Sequence, residues 1–195
     1  MSCATVLTGV DGVLDGRRER ARLFAPAGNV PMVVSSVGDA SALHRAMGPL
    51  STMLTRPIVC VERVALVKQG GELLSLPPGI HSEIPSPTDV WETISVYTRR
   101  NAQVSGRPLY TELTRRLREL GGAGATTVLG DWGFSGTELP HGDRLGRVAS
   151  HRPAYTVYID RPQKVAELWP TIDEVTAEHG VVTSLLVPGY LERAG

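Results

Sequence analysis

The sequence predicts an α+β protein in which a complete ferredoxin-like unit, with the split βαβ order of elements, follows a partial second copy of itself. Residues 91–190 carry the patterns of a strand, a helix, two strands, a helix and a final strand, in that order. Residues 4–68 repeat the later part of the same order. In the split βαβ arrangement two helices cover one face of an antiparallel sheet. The predicted organisation is a partial repeat at residues 1–68, a Pro/Gly-rich linker at 69–90 and a complete domain at 91–195.

The complete copy opens with a strand and a helix. Residues 91–98 alternate β-branched and aromatic side chains with no breaker, which predicts a strand. Ser105 or Gly106 can then cap a helix that has Pro108 in its first turn. The apolar face of this helix is Leu109, Leu113, Leu117 and Leu120.

The second half of the complete copy contains three more strands and one more helix. Residues 126–129 predict a strand that leads into a glycine-rich segment and a polar loop ending near 151; residues 153–160 and 181–187 predict the other two strands. Asp160 can cap the second helix, and Pro170 lies inside that helix, where it predicts a kink. The buried stripe predicted for this helix is Val165, Leu168, Ile172 and Val175.

The partial copy is displaced by 122 positions from the complete one. Eight positions are identical, among them the Thr-Val-Leu runs at 5–7 and 127–129 and the prolines Pro31 and Pro153. Its predicted elements are a strand at 4–8, a glycine-rich loop, a strand at 31–37, a helix at 40–55 and a strand at 58–67. The first strand and the first helix of the unit have no counterpart before residue 4.

The missing first strand leaves the partial copy incomplete. In this topology the first strand lies between the third and the fourth, so its absence leaves two strand edges unpaired, and unsatisfied buried amides each cost about 1–3 kcal/mol. Residues upstream of Met1 are the preferred completion; a linker strand at residues 72–76 and pairing with another chain are the alternatives.

Composition narrows the class of protein. The 20 basic and 20 acidic residues give a formal net charge of zero, which disfavours nucleic-acid binding. The sequence has no apolar run long enough for a membrane span and no signal peptide at its start, so we expect a cytoplasmic protein that is not membrane-embedded. Cys3 and Cys60, the only cysteines, are expected to be reduced and packed.

Five motifs occur in order in residues 91–190. They are Ile94-Ser95-Val96-Tyr97, Gly106-Arg107-Pro108-Leu109-Tyr110, Gly124-Ala125-Thr126-Thr127-Val128-Leu129, Gly133-Phe134 and Arg144-Leu145, followed by Pro153 and Asp160. Together they resemble the uncharacterised PII-like domain family, domain of unknown function 190, which is related to the nitrogen-regulatory PII proteins. The resemblance extends more weakly to residues 4–68.

The resemblance implies a fold, an assembly and a ligand. PII proteins are ferredoxin-like protomers that form homotrimers and bind adenine nucleotides between protomers. They act in signal transduction through a long loop between the second and third strands, which engages transporters and enzymes. An adenine nucleotide is therefore the candidate ligand, and a membrane transporter or channel is the candidate regulatory target.

The loop between the second and third strands carries the candidate ligand site. Glycine lets backbone amides turn toward a phosphate and arginine binds phosphate bidentately, so both loops could hold an anion; the alternative is a solvated loop whose glycines only allow the bend. Arg107, at the predicted helix start, could face the same ligand, or could simply be exposed there. Phe134 could stack on a base, or could plug an interface. The candidate ligand-binding residues are Gly130, Gly133, Phe134, Gly136, Arg144, Arg147, Arg107, Gly9, Gly12 and Arg22.

Other chemistries have less support in the sequence. His141, Asp143 and His151 share the loop and are the candidate metal ligands, although no histidine pair has the usual metal-ligand spacing. No serine or cysteine has the sequence context of a nucleophile, so we do not expect an enzyme. The predicted function is a PII-like regulatory oligomer that senses a small ligand; the alternatives are a structural oligomer that senses nothing and a divalent-metal-binding trimer of the same superfamily.

Overall fold

The computed structural model describes residues 1–14, 16–20, 31–54, 58–81, 90–136, 141–142 and 152–189. In these ranges each helix follows a run of two or more strands. The strands are β1 (Cys3–Thr8), β2 (Asp11–Leu14), β3 (Arg17–Arg20), β4 (Met32–Val37), β5 (Ala65–Gln69), β6 (Glu72–Leu73), β7 (Val90–Arg99), β8 (Gln103–Val104), β9 (Arg107–Pro108), β10 (Gly124–Leu129), β11 (Trp132–Ser135), β12 (His141–Gly142), β13 (Pro153–Asp160) and β14 (Val181–Pro188). The helices are α1 (Ala40–Met53), α2 (Pro78–His81), α3 (Leu109–Glu119) and α4 (Pro162–Val175).

The main sheet has six antiparallel strands in the order β10-β13-β7-β14-β5-β6. Strand β7 lies between β13 and β14, which is the central place that the sequence predicts for the first strand of the complete copy. Helices α3 and α4 bury the leucine and aliphatic stripes predicted for them, apart from Leu120, which is exposed. Their core also takes in Ile94 and Val96 of β7 and Tyr158 of β13.

Both helices of the complete copy begin differently from the prediction. Ser105 and Gly106 have φ of 52° and 76° and form the turn between β8 and β9, so neither caps α3, and Pro108 is the N-cap. Asp160 does not cap α4, whose N-cap is Arg161. The Asp160 carboxylate instead accepts hydrogen bonds from the Tyr158 hydroxyl at 2.7 Å and the Ala123 amide at 2.8 Å, which satisfies a buried tyrosine in the core.

The two copies share their internal geometry. Helices α1 and α4 each have 14 residues and lie 122 positions apart, and each contains a proline. Strands β1 and β10, however, lie 121 positions apart. Strand pairing decides this register, because Cys3 pairs with Val37 in the first copy as Gly124 pairs with Ile159 in the second. The Thr-Val-Leu runs therefore match one residue away from the alignment that the sequence suggests.

A second, four-stranded sheet joins the two copies in the order β12-β11-β1-β4. Strand β11 comes from the segment that the sequence predicts as loop, and it pairs antiparallel with β1 of the first copy. The prediction of one polar loop from 130 to 151 is thus wrong for residues 132–135 and 141–142. A glycine-flanked Trp-Gly-Phe run has a weak strand signature by itself, and the partner strand that stabilises it lies far away in sequence.

The last strand of the partial copy belongs to the main sheet. Residues 58–64 have no regular structure, and β5 begins only at Ala65, where the sequence predicts a strand from 58. Strand β5 pairs with β14 of the complete copy, and the short linker strand β6 pairs with β5. The linker strand therefore does not complete the partial copy, since β4 is the last strand of its own sheet.

The two sheets pack through a small core on the face opposite the helices. Cys3 and Val37 of the first copy pack with Tyr97 and Val181 of the second. Tyr97 stacks on Tyr155 with ring centroids 4.7 Å apart. Burial raises the pKa of the Cys3 thiol to about 12, which keeps it protonated and unreactive. Cys60 differs from the prediction, because it lies exposed in the irregular segment 58–64.

Within the described ranges, no helix is long and apolar enough to span a membrane.

A buried lysine fixes β5 to the helical layer. Lys68 is 2% exposed, and its ammonium donates to a carboxylate oxygen of Asp173 at 2.5 Å and to the Asp173 carbonyl at 2.8 Å. Asp173 lies on α4 of the complete copy, so this pair attaches the last strand of one copy to the last helix of the other.

We predict that Lys68→Met lowers the free energy of unfolding by about 1.5–3 kcal/mol, the range for a hydrogen bond to a charged group, because it removes the two hydrogen bonds that join β5 to Asp173 of α4. Thermal and urea unfolding measure the change. The matched control is Lys164→Met, which removes the other lysine, paired with Glu167 at the surface; a loss there equal to that of Lys68→Met would contradict the prediction.

Glu92 is a second buried charge in the main sheet. Its side chain is fully buried; one carboxylate oxygen accepts from the Ser184 hydroxyl at 2.6 Å and from the Gly79 amide at 3.3 Å. The other oxygen has no hydrogen-bond partner among the described residues. Burial therefore raises the pKa of Glu92.

We predict that Glu92 lowers the free energy of unfolding as the pH rises. Its folded-state pKa lies above its unfolded value, so its contribution to stability is complete below the unfolded pKa and is lost as pH rises through the folded pKa. Glu92→Gln should remove this loss, so that the melting temperature of the variant rises relative to that of the wild type as the pH increases above the pKa of an unfolded glutamate. The control is Glu178→Gln, which changes an exposed glutamate and should leave the pH dependence of the melting temperature as in the wild type. If the melting temperatures of the wild type and of Glu92→Gln change in parallel with pH, Glu92 is not the cause of the pH dependence.

Candidate functional site

The glycines of the predicted ligand loop lie where two backbones approach closely. The Gly130 amide donates to the Pro153 carbonyl at 2.8 Å, and a Cβ on Gly130 would lie 2.7 Å from the Pro153 ring. A Cβ on Gly133 would overlap the carbonyl oxygen of Ala4 on the neighbouring strand β1. Both positions therefore need glycine for strand packing, whether or not a ligand binds.

The first copy uses its glycines in the same way. The Gly9 amide donates to the Pro31 carbonyl at 2.9 Å, and a Cβ on Gly12 would lie 2.8 Å from the Pro31 ring. Gly9 and Gly12 thus match Gly130 and Gly133, each pair 121 positions apart. Gly16 and Gly136 follow in each copy with φ of 74° and 65°, which favours glycine, and have open space around them.

The extension that follows these glycines is a hairpin in the first copy. Strands β2 and β3 pair, and the Arg18 guanidinium binds the Asp11 carboxylate through two hydrogen bonds, which lowers the pKa of Asp11. Arg18 and Arg20 have side chains 70% and 76% exposed. The hairpin therefore presents these arginines to solvent beside the glycine turn, with Asp11 as their acidic partner.

Several predicted site residues lie outside the described residues: Arg22, Arg144 and Arg147. Phe134 is described; it is partly buried and pairs with Ala4 across β11 and β1. Phe134 therefore lies at the contact between the two copies of the chain.

Arg107 lies apart from the glycine loops. It is on β9, before α3 begins, with a side chain 61% exposed and a nitrogen 3.6 Å from a carboxylate oxygen of Glu112. Glu112 also accepts from Arg115 and Arg116, and these arginines lower its pKa to about 2. The placement of Arg107 inside the helix is thus wrong, because the β8–β9 turn takes up the residues that were expected to cap it.

An open groove of about 660 Å³ runs between α3 and the outer edge of β10. The sequence prediction includes none of its lining residues, although Tyr110 belongs to the Gly-Arg-Pro-Leu-Tyr motif. Thr127 of β10 faces α3, since its hydroxyl lies 3.4 Å from that of Thr114. The lining residues are Tyr110, Thr111, Thr114, Arg115, Arg118, Glu119 and Thr127.

The metal alternative falls largely on residues outside the described ranges. Asp143, His151 and the side chain of His141 are not described. Among the described residues, no three His, Cys, Asp or Glu side chains group in a way that could hold a metal ion.

We predict that Gly133→Ala destabilises the protein by about 1–3 kcal/mol, because the added methyl overlaps the Ala4 carbonyl and separates β11 from β1. Urea unfolding measures the loss. Gly124→Ala is the matched control, since a Cβ there has nothing within 4 Å. A variant at Gly133 that folds as stably as the wild type would show that this glycine is not required for strand packing.

The chain has the internal organisation of a two-copy protein, with the same glycine, proline and helix geometry in each copy. The family DUF190, described as "Uncharacterized ACR", matches residues 1–66 and 91–188, which are the two copies without the linker. These segments cover most of the chain, and the family is one of the PII-like superfamily. The protein therefore belongs to the PII-like family DUF190.

Proposed function

We propose that this protein is a non-enzymatic, cytoplasmic regulatory homo-oligomer in which the extension after the second strand of each copy binds a small anion and acts on a partner protein. The observation that carries the proposal is the β2–β3 hairpin of the first copy, which holds Arg18 and Arg20 exposed to solvent. Membership of DUF190 supports a regulatory function, since this family belongs to the PII-like superfamily and PII proteins act in signal transduction.

The ferredoxin-like assignment of residues 90–188 is part of this proposal. Its support is the strand order β10-β13-β7-β14, in which the first strand of the unit is central, together with two helices packed into one core. The same order with the first strand and helix missing describes β1, β4 and α1 of the partial copy.

An adenine nucleotide is the proposed ligand. Its phosphates match guanidinium groups, which bind phosphate oxygens bidentately, and the hairpin arginines are accessible from solvent. In the proposed mechanism phosphate binding changes how the extension after the second strand of each copy fits a partner, with a transporter or channel as the target by family analogy.

A structural oligomer that senses no ligand is the second candidate. The specific observation in its favour is that Gly9, Gly12, Gly130 and Gly133 are each accounted for by close contact with a backbone or a proline ring. In this reading the arginine hairpin is solvated, and Arg18 is simply paired with Asp11.

Calorimetric titration separates the two candidates. We predict that ATP, ADP or cyclic AMP gives a binding isotherm with the wild type, and that Arg144→Ala with Arg147→Ala weakens binding at least about tenfold, as expected when charge-assisted hydrogen bonds to phosphate are lost. Arg18→Ala tests the hairpin of the first copy in the same way.

Arg45→Ala is the matched control, since Arg45 lies on α1 and donates to Ser41 of the same helix. Equal weakening by the control would assign the effect to net charge instead of a site. The absence of heat with all three nucleotides would eliminate the nucleotide-sensing function and leave the structural oligomer.

A further inference from the structure

The contact between the two copies inside the chain is asymmetric. Strand β11 of the second copy pairs with β1 of the first, with Ala4 opposite Phe134 and Val6 opposite Trp132. One copy therefore gives its extension strand, and the other accepts it on the outer edge of its second strand. Such a donor-to-acceptor contact uses two different surfaces, so it leaves one surface of each kind unused.

The unused donor is β2. Strands β2 and β11 have four residues each, lie 121 positions apart and follow equivalent glycines. In the described part of the chain β2 pairs with β3 on one side, and its other edge faces no strand. Val13, the counterpart of the partly buried Phe134, is 67% exposed.

The unused acceptor is the outer edge of β10. Strand β10 is the counterpart of β1, again 121 positions later, and it ends the main sheet as that sheet is described. The Gly130 amide points to Pro153 of β13, and alternation along the strand then turns the amides of Ala125 and Thr127 outward. An edge of outward amides is ready to pair with another strand.

We propose that β2 of one chain pairs antiparallel with β10 of a second copy of this chain, repeating between chains the contact that β11 and β1 make within one. The equivalence fixes the register: Val13 lies opposite Ala125, Gly12 opposite Thr126 and Asp11 opposite Thr127. The inference rests on the oligomeric part of the proposed function and names the surfaces that form the oligomer.

The side chains at these positions suit the contact. Residues opposite each other in an antiparallel pair project from the same face, so Val13 comes to the side of Ala125, which packs against the helical core. Asp11 comes to the side of Thr127, into the groove that Arg115 and Arg118 line. An apolar residue thus meets the helical layer. The Asp11 carboxylate, which Arg18 of its own chain already binds, comes near Arg118 and near Arg115, which is paired with Glu112 and Glu119.

The glycine at position 12 fits the same geometry. At its counterpart Gly133, a Cβ would overlap the carbonyl oxygen of Ala4 on the accepting strand. The equivalent oxygen in the proposed contact belongs to Ala125 of the second chain, so Gly12 gives the accepting strand the same room.

Cross-linking between two differently labelled chains tests the contact. In a Cys60→Ser background, which removes the exposed thiol, Val13→Cys in one chain and Ala125→Cys in another place two thiols on opposite residues, at about the 5.5 Å Cα separation that a disulfide accepts. Mild oxidation of the mixture should give a disulfide-linked dimer as the main product on a non-reducing gel. Val61→Cys mixed with Ala125→Cys is the matched control and should stay monomeric, since Val61 is equally exposed and lies in the irregular segment 58–64.

A charge variant tests the contact without cysteine chemistry. Val13→Asp should raise the dissociation constant of the assembly by about tenfold or more in sedimentation velocity, because pairing would bury an unpaired carboxylate, while Val61→Asp leaves it unchanged. The melting temperature of each variant checks that its fold is intact. If the protein forms an oligomer but oxidation gives no cross-linked dimer, and Val13→Asp leaves the dissociation constant unchanged, this interface is wrong. The oligomeric part of the proposed function would still stand. A monomer at all concentrations would overturn both, while the nucleotide titration would still report on ligand sensing.

Discussion

The antiparallel pairing of β11 with β1 is the contact on which the rest of the structure depends. Among the described residues the β1–β4 pair of the first copy has one further strand beside it, β11 of the second copy, which pairs with β1. Strand β11 supplies one neighbour, and the back of the main sheet supplies an apolar face through Tyr97 and Val181. The partial copy is thus stabilised by the complete copy, with which it shares both sheets.

Because the two copies share the main sheet, a buried lysine of the first copy binds an aspartate of the second at the β5 end of that sheet. Strand β5 comes from the first copy but pairs with β14, and Lys68 enters the core to reach Asp173. A buried ammonium is unfavourable by itself, so its position depends on that carboxylate and carbonyl. The linker then returns to the sheet as β6 and α2, whose Gly79 touches buried Glu92. The part of this segment that the structure describes before residue 82 is therefore packed on the main sheet.

The glycines of the two loops fit two explanations, a phosphate-binding loop and close packing of the backbone. Read along the chain, glycines beside arginines suggest a phosphate loop. In three dimensions Gly9, Gly12, Gly130 and Gly133 lie against a proline or a carbonyl, and the described arginines of the first loop lie on β3. The glycines thus set the path of the chain where one copy meets the other, and the same path leaves β2 and β10 as unused counterparts of a contact that the protein already makes once.

The sequence alone determined the elements with strong local signals: β7, β13 and β14, the stripes of α3 and α4, the repeat and the family. These features depend on side-chain alternation and helical spacing, which a single segment contains. The tertiary structure decided the rest. Ser105 and Gly106 form a turn, residues 58–64 leave the sheet, and residues 132–135 become a strand, because each depends on a partner distant in sequence. Strand pairing between copies, which no local pattern encodes, also set the one-residue change in the repeat register.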